Sequence, residues 1–172
     1  MIQSRFFMQR RKPAHGHNIP SQSRVRKNHC FACGKDNPTG MKLKFYSDEE
    51  DRRTICEFKL TKRYQGPPGH AHGGIIATIL DEAMGKVNKF RNVVALTKKM
   101  EVEYLKPVPL GRPLKVVGHE HEVTGRQHIN LAEIMNDQGE VLARGTAIFI
   151  AVDVTRMFAR LSKSSNQATS LK

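Results

Sequence analysis

The chain has 172 residues, of which 38% are hydrophobic, and a mean hydropathy of −0.51. That is enough for one globular domain and too few for two of ordinary size. Twenty-nine Lys and Arg against 16 Asp and Glu give a net charge of +13, yet no stretch approaches the roughly 20 apolar residues of a membrane-spanning helix, and three cysteines exclude a fully paired disulfide scaffold and fit a reducing cytoplasm.

Residues 1–29 contain seven basic residues and no acid. With Pro13, Gly16 and Pro20 and no sustained period, they read as a flexible extension. They lack the apolar stretch of about 7–15 residues that a secretory signal needs, and their Arg-rich, acid-free composition is also that of an organelle transit peptide. Residues 156–172 add four basic residues and no acid. The two ends thus hold +11 of the charge, and 30–155, with 18 basic and 16 acidic residues, is nearly neutral. A neutral body between basic tails does not call for a specific nucleic-acid site. The division expected is an extension at 1–29, a domain at 30–154 and a basic tail at 155–172, in which Met157, Phe158 and Leu161 offer docking side chains.

In chain order, 41–46 alternate as a half-buried strand, and 53–60 read as a second. Residues 72–89 form the one clear helix, its apolar positions Ile75, Ile76, Ile79, Leu80, Ala83, Met84 and Val87 repeating as a single buried stripe. Residues 99–105 alternate Met100, Val102 and Tyr104 against Lys99, Glu101 and Glu103. Strands at 113–124, 127–136 and 140–153 complete a meander, turned at Gly125-Arg126 and Asp137-Gln138-Gly139. One helix against an antiparallel sheet is an α+β architecture.

At about 100° per residue, Asp81 lies about 145° from the centre of the apolar stripe. Gly74, Thr78 and Gly85 share its row, with Ala77 beside them. A solvated helix face usually carries Lys, Glu, Gln or Arg, whereas a row of small residues admits another backbone or a ligand. A solvated acid and a functional acid both remain open on spacing alone. The helix entrance, Tyr64-Gln65-Gly66-Pro67-Pro68-Gly69-His70-Ala71-His72-Gly73-Gly74, is a stiff turn. Two glycines in the first helical turn leave backbone N–H groups uncovered at the positive end of the helix dipole, where a developing oxyanion is stabilised.

His72-Gly73-Gly74 with Asp81 nine residues after the histidine, preceded by Gln65-Gly66-Pro67-Pro68-Gly69, resembles the PaaI-like hotdog acyl-CoA thioesterases. Cys30-Phe31-Ala32-Cys33-Gly34 followed by Asn37-Pro38 and Gly40-Met41, and Tyr104-Leu105-Lys106-Pro107-Val108, are similar to further segments of that group. The resemblance covers about 30–153. It implies a hotdog fold, a long helix wrapped by a curved antiparallel sheet. It implies a dimer, or a dimer of dimers, with active sites at the subunit interface. It implies hydrolysis of acyl-CoA to acid and CoA, with coenzyme A entering only as part of the substrate and no cofactor. In these terms Gly73 N–H is the oxyanion donor, Asp81 the general base on water, Thr97 the residue that orients water or carboxylate, and His72 a positioning group. Gln65, Gly74, Lys98, Lys99 and Lys106, with Arg112, are the candidate substrate contacts. Some relatives carry Asn where this chain has Gly66. Glu82 is the rival acid to Asp81.

Cys30 and Cys33 read as a structural knuckle; a zinc site wants four ligands and a thioredoxin-like site a βαβ context, so no metal is expected. His119 and His121 fall on one face of a strand, where cross-strand packing is the commoner role. The alternatives to hydrolysis are a non-catalytic hotdog module binding acyl-CoA or a protein partner, and a hotdog hydratase or dehydratase.

Overall fold

The computed structural model describes residues 27–153. The extension up to residue 26 and the tail from 154, including Met157, Phe158 and Leu161, lie outside the described residues.

A six-stranded antiparallel sheet packs around one helix. The strands are β1 (Tyr46–Asp48), β2 (Arg53–Phe58), β3 (Ala95–Tyr104), β4 (Leu114–Thr124), β5 (Gln127–Asn136) and β6 (Val141–Ala151), and the helix is α1 (Gly73–Val87). The sheet order is β1-β2-β4-β5-β6-β3, so β3, which follows the helix, returns to the far edge of the sheet.

The apolar stripe behaves as its period requires. Ile76, Ile79, Leu80, Ala83, Met84 and Val87 are buried, and Ile75 packs half-buried against the same core with Val116, Ile134 and Phe149 from the sheet. The helix also lies close on β4. A Cβ at Gly118 would sit 2.7 Å from the Ala83 carbonyl oxygen, so glycine is what allows this approach. Two buried polar side chains then fix the helix in register. The Thr54 hydroxyl donates to Ala83 O at 2.8 Å, and Asn130 Nδ2 donates to Met84 O at 2.9 Å and to Asn88 Oδ1 at 3.0 Å. Buried polar groups persist where they find such partners.

Several boundaries differ from the sequence expectation. Residues 41–45 form no ladder, because Lys42 takes a left-handed conformation (φ 56°); the alternation instead buries Leu43 and packs Met41 and Phe45 on the core. The helix begins at Gly73, with His72 as its cap, and after Val87 tightens into a 3-10 turn at Asn88–Arg91. Strand β3 starts at Ala95 rather than 99. A register shift between Glu120 and Glu122 breaks the alternation that had put His119 and His121 on one face, since a bulge inserts an extra residue.

Candidate active site

The loop into α1 is held by its own backbone. Gly66 N–H donates to His70 O at 3.0 Å, Ala71 N–H to Val108 O at 2.9 Å and His72 N–H to Tyr64 O at 2.9 Å. A Cβ at Gly66 would lie 2.7 Å from His72 Cα. An asparagine there is therefore sterically incompatible with this loop path. Gln65 is exposed and is bridged to Ala71 through the backbone.

His72 is the N-cap of the helix, with extended backbone (φ −67°, ψ 138°) and a side chain that accepts from the Gly74 amide. The Nδ1···N distance is 3.0 Å, so the neutral ring carries its proton on Nε2. The Gly74 N–H, expected to meet substrate, is thus engaged by His72. The Gly73 N–H has no acceptor among the described residues. From the end of β3 the Tyr104 hydroxyl donates to Gly73 O at 3.1 Å, and its ring lies 3.6 Å from where a Gly73 Cβ would be. Sequence reasoning put Tyr104 on the apolar face of its strand and missed this contact with the helix entrance.

Two turns further on, Asp81 is half-buried on the small-residue row. The Thr97 hydroxyl donates to Asp81 Oδ1 at 2.8 Å. The ladder between β3 and β6 shifts register between Thr97 and Lys99, a bulge directly after Thr97, whose side chain reaches the helix; bulges commonly re-aim a side chain in this way. An open cleft of about 330 Å³ is lined by Asp81, Thr97, Gly85, Leu96 and Phe149, with Lys86 and Lys89 at its side. None of Gln65, Lys98, Lys99 and Lys106 lines it. Lys98 and Arg112 are exposed, Lys99 pairs with Glu101 on its own strand, and Lys106 pairs with Glu140. The cations that reach the cleft, Lys86 and Lys89, sit five and eight residues beyond Asp81, in its own helix and in the 3-10 turn that follows, and were not among the contacts expected from the sequence.

Glu82, the rival acid, has other partners. Lys86 Nζ lies 2.9 Å from Glu82 Oε1, and Cys30 Sγ donates to Glu82 Oε2 at 3.6 Å. Burial alone would raise the Glu82 carboxyl, but hydrogen bonds from Cys33 and Lys86 and the Lys86 charge outweigh it and hold the group below the ordinary carboxylate range. A carboxylate locked into that ion pair is poorly suited to collect a proton from water, and Asp81, held among the described residues by one hydroxyl, is the freer of the two.

A six-stranded antiparallel sheet wrapped on a single long helix is the hotdog architecture, here with His-Gly-Gly at the helix entrance and an acid two turns along. Residues 68–143 match the model of the thioesterase superfamily. Acyl-coenzyme A thioesterase THEM4 of Rattus norvegicus is 28% identical over 124 residues, covering 72% of this chain and 54% of that protein. The chain spans about half the length of the curated relatives it matches. A thioesterase superfamily protein of known crystal structure superposes with a TM-score of 0.68 at 29% identity, covering 72% of this chain and 60% of that one. A Streptococcus mutans protein whose crystal structure has acetyl-CoA bound shares the fold at a TM-score of 0.60 and 23% identity, over 64% of this chain and 88% of that one.

Proposed function

We propose that this chain hydrolyses acyl-CoA thioesters, and that each active site is completed by a second copy of the chain. The observation that carries the reading is the Asp81–Thr97 hydrogen bond at the side of an open cleft. It is supported by the relatives named acyl-CoA thioesterases and by the acetyl-CoA bound to the Streptococcus mutans protein of the same fold.

Asp81 is the general base. One carboxylate oxygen accepts from Thr97, which fixes the orientation of the group, and the other is left to take a proton from water as that water attacks the thioester carbonyl. The Gly73 N–H, aided by the positive end of the helix dipole, receives the carbonyl oxygen as it gains charge. His72 keeps Gly74 capped and the entrance in shape. In this reading Lys98, Lys99 and Lys106 are candidates for the phosphates of coenzyme A, and Lys89 joins them from the side of the cleft.

The separation of base and donor supports a site shared between two chains. Gly73 and Asp81 are eight residues apart on one straight helix, about 12 Å at a rise of about 1.5 Å per residue, whereas the reacting atoms of one thioester lie within about 3–3.5 Å of the groups that act on them. Spanning that gap from one helix would take the full reach of the Asp81 side chain, a water and the carbonyl in line, which favours a carbonyl held between two copies. Strand β3 supplies the means of pairing. It is an edge strand of ten residues with Leu96 at 53% and Tyr104 at 55% exposure, and an exposed edge is a template for another strand. An antiparallel β3–β3 pairing runs the two helices in opposite directions and brings Gly73 of one copy toward Asp81 of the other.

The test is thiol release by purified protein over short, long and aryl acyl-CoAs, with Asp81→Asn beside the parent. The expected result is turnover by the parent, a loss of about 10²- to 10⁴-fold in the variant, and a dimer in both. Binding without thiol release across the panel would overturn hydrolysis in favour of a binding module. Conversion of an enoyl or 3-hydroxyacyl thioester without thiol release would identify a hydratase.

A further inference from the structure

The turn at Cys30–Gly34 is not used by the reaction proposed above. We propose that Cys30, Cys33 and Glu82 form a binding site for a thiophilic divalent cation of the zinc class, joining the N-terminal knuckle to the helix that carries Asp81.

The three ligand atoms all lie within 4.8 Å of one another. Around a tetrahedral ion with bonds of about 2.3 Å to sulfur and about 2.0 Å to oxygen, a sulfur and an oxygen are separated by about 3.5 Å. Cys30 Sγ and Glu82 Oε2 are 3.6 Å apart, so the carboxylate and the first sulfur already stand at the spacing of two ligands on one ion.

The knuckle is preorganised. Cys30 N–H donates to Asn28 Oδ1 at 3.0 Å, Gly34 N–H to Cys30 O at 2.9 Å, and Asn28 N–H to Asp36 Oδ2 at 2.7 Å. A Cβ at Gly34 would lie 2.4 Å from Cys30 O, so glycine alone closes the turn this tightly. Ala32, buried at its centre, anchors it to the core. Glu82 comes from α1, whose register against the sheet is fixed by Thr54 and Asn130. Two cysteines three apart on a closed turn and one carboxylate from a rigid helix therefore converge with little reorganisation left to make.

The donor set selects the ion. Thiolates favour zinc, cobalt and cadmium, whereas magnesium and calcium take oxygen alone. The place also calls for positive charge. Lys86 Nζ lies 3.2 Å from Cys33 Sγ and 2.9 Å from Glu82 Oε1, an ammonium standing where an ion would compete. Its flexible stem lets it swing aside. On coordination both thiols release their protons to solvent, and three protein ligands leave one position for water. His29, the neighbouring imidazole, is not part of the cluster.

The experiment uses the full chain, stripped with a chelator under reducing conditions and titrated with Co²⁺. A one-to-one complex with a thiolate-to-cobalt charge-transfer band and the visible bands of a tetrahedral site is expected, bleached by one equivalent of Zn²⁺. The band disappears in Cys30→Ser and in Cys33→Ser. Glu82→Gln weakens binding by about tenfold or more, at least the effect of disturbing the surroundings of a zinc ligand. Lys86→Met binds as tightly as the parent or more tightly, because a competing cation is gone. Absence of the band in the parent overturns the site, and that result needs no variant to fold. A band that survives loss of both cysteines overturns it too, by placing the ion elsewhere. The readout is independent of acyl-CoA hydrolysis, so it stands or falls separately from the catalytic reading.

Discussion

The Thr97 hydroxyl donates to Asp81 Oδ1 across 2.8 Å, joining an edge strand to the helix row opposite the core. The contact restrains a carboxylate that no cation pairs with among the described residues. Its consequence is positional: Thr97 sets the carboxylate plane and does not itself meet the thioester. Thr97→Val is therefore expected to lower kcat about tenfold, the cost of losing one hydrogen bond to a charged group of about 1.5 kcal/mol, with KM little changed. Thr97→Ser, which keeps the hydroxyl, restores turnover. Steady-state kinetics on the three proteins check this, and a Thr97→Val enzyme with parental kcat would remove Thr97 from the site.

Gly73 permits an unusually clean deletion of a backbone donor. It is the first residue of α1, a position where proline is tolerated, and the preceding His72 already has the extended backbone that a following proline demands. Gly73→Pro is expected to leave the circular dichroism spectrum unchanged while kcat falls about 10²- to 10³-fold. Gly73→Ala keeps the N–H. Its Cβ meets the Tyr104 ring at an ordinary 3.6 Å, so this variant should stay active. Equal losses in both would argue for crowding at the entrance rather than for a lost donor.

Two other glycines respond in opposite directions. At Gly118 a Cβ would lie 2.7 Å from Ala83 O and 2.8 Å from Thr54 Oγ1, with no flexible group to yield, so Gly118→Ala should destabilise by about 1–3 kcal/mol. At Gly85 the nearest atom is Phe149 Cε1 at 3.7 Å. The position is inside α1, so Gly85→Ala should stabilise by about 1 kcal/mol. Thermal melts of the two variants against the parent decide both signs.

Arg91 grips Glu120 with two nitrogens, at 2.6 and 2.9 Å, and ties the turn after α1 to β4. The Arg91 hydrogen bond, against the opposing effect of partial burial, holds the Glu120 carboxyl below its ordinary value. A carboxyl lowered in the folded state adds stability above its unfolded pKa of about 4.3, and that stability is lost as pH falls through the lower folded value. Glu120→Gln should therefore cost up to about 1 kcal/mol at neutral pH and nothing once the solution is well below the folded pKa. Urea melts at the two pH values test it; a penalty that persists in acid would assign the effect to packing.

Much of the fold was legible in local pattern. The stripe from Ile76 to Val87, the alternation of β5 and β6, and the turns at Gly125 and Gly139, both with positive φ, are each written within a few neighbouring residues. The missed elements were decided by longer reach. Lys42 turns left-handed and hands the first ladder to Tyr46–Asp48, although residues 41–45 still alternate into the core. Asn130 could be suspected as an amide in the middle of the inward face of β5, but its partner, the Met84 carbonyl, is 46 residues away.

The sequence by itself determined which chemistry was available: a glycine-rich helix entrance, one acid on a row of small residues, and a pair of cysteines three apart. It also located +11 of the +13 in the ends and left the body near neutral. Tertiary structure decided which of those groups meet. Thr97 reaches Asp81 from 16 residues away because β3 returns to the sheet edge beside the helix, and Cys30 reaches Glu82 from 52 residues away because the knuckle docks on the same helix. Periodicity reports only the face on which a residue lies; contact between faces depends on strand order and on the register of α1, which Gly118, Thr54 and Asn130 set through the sheet.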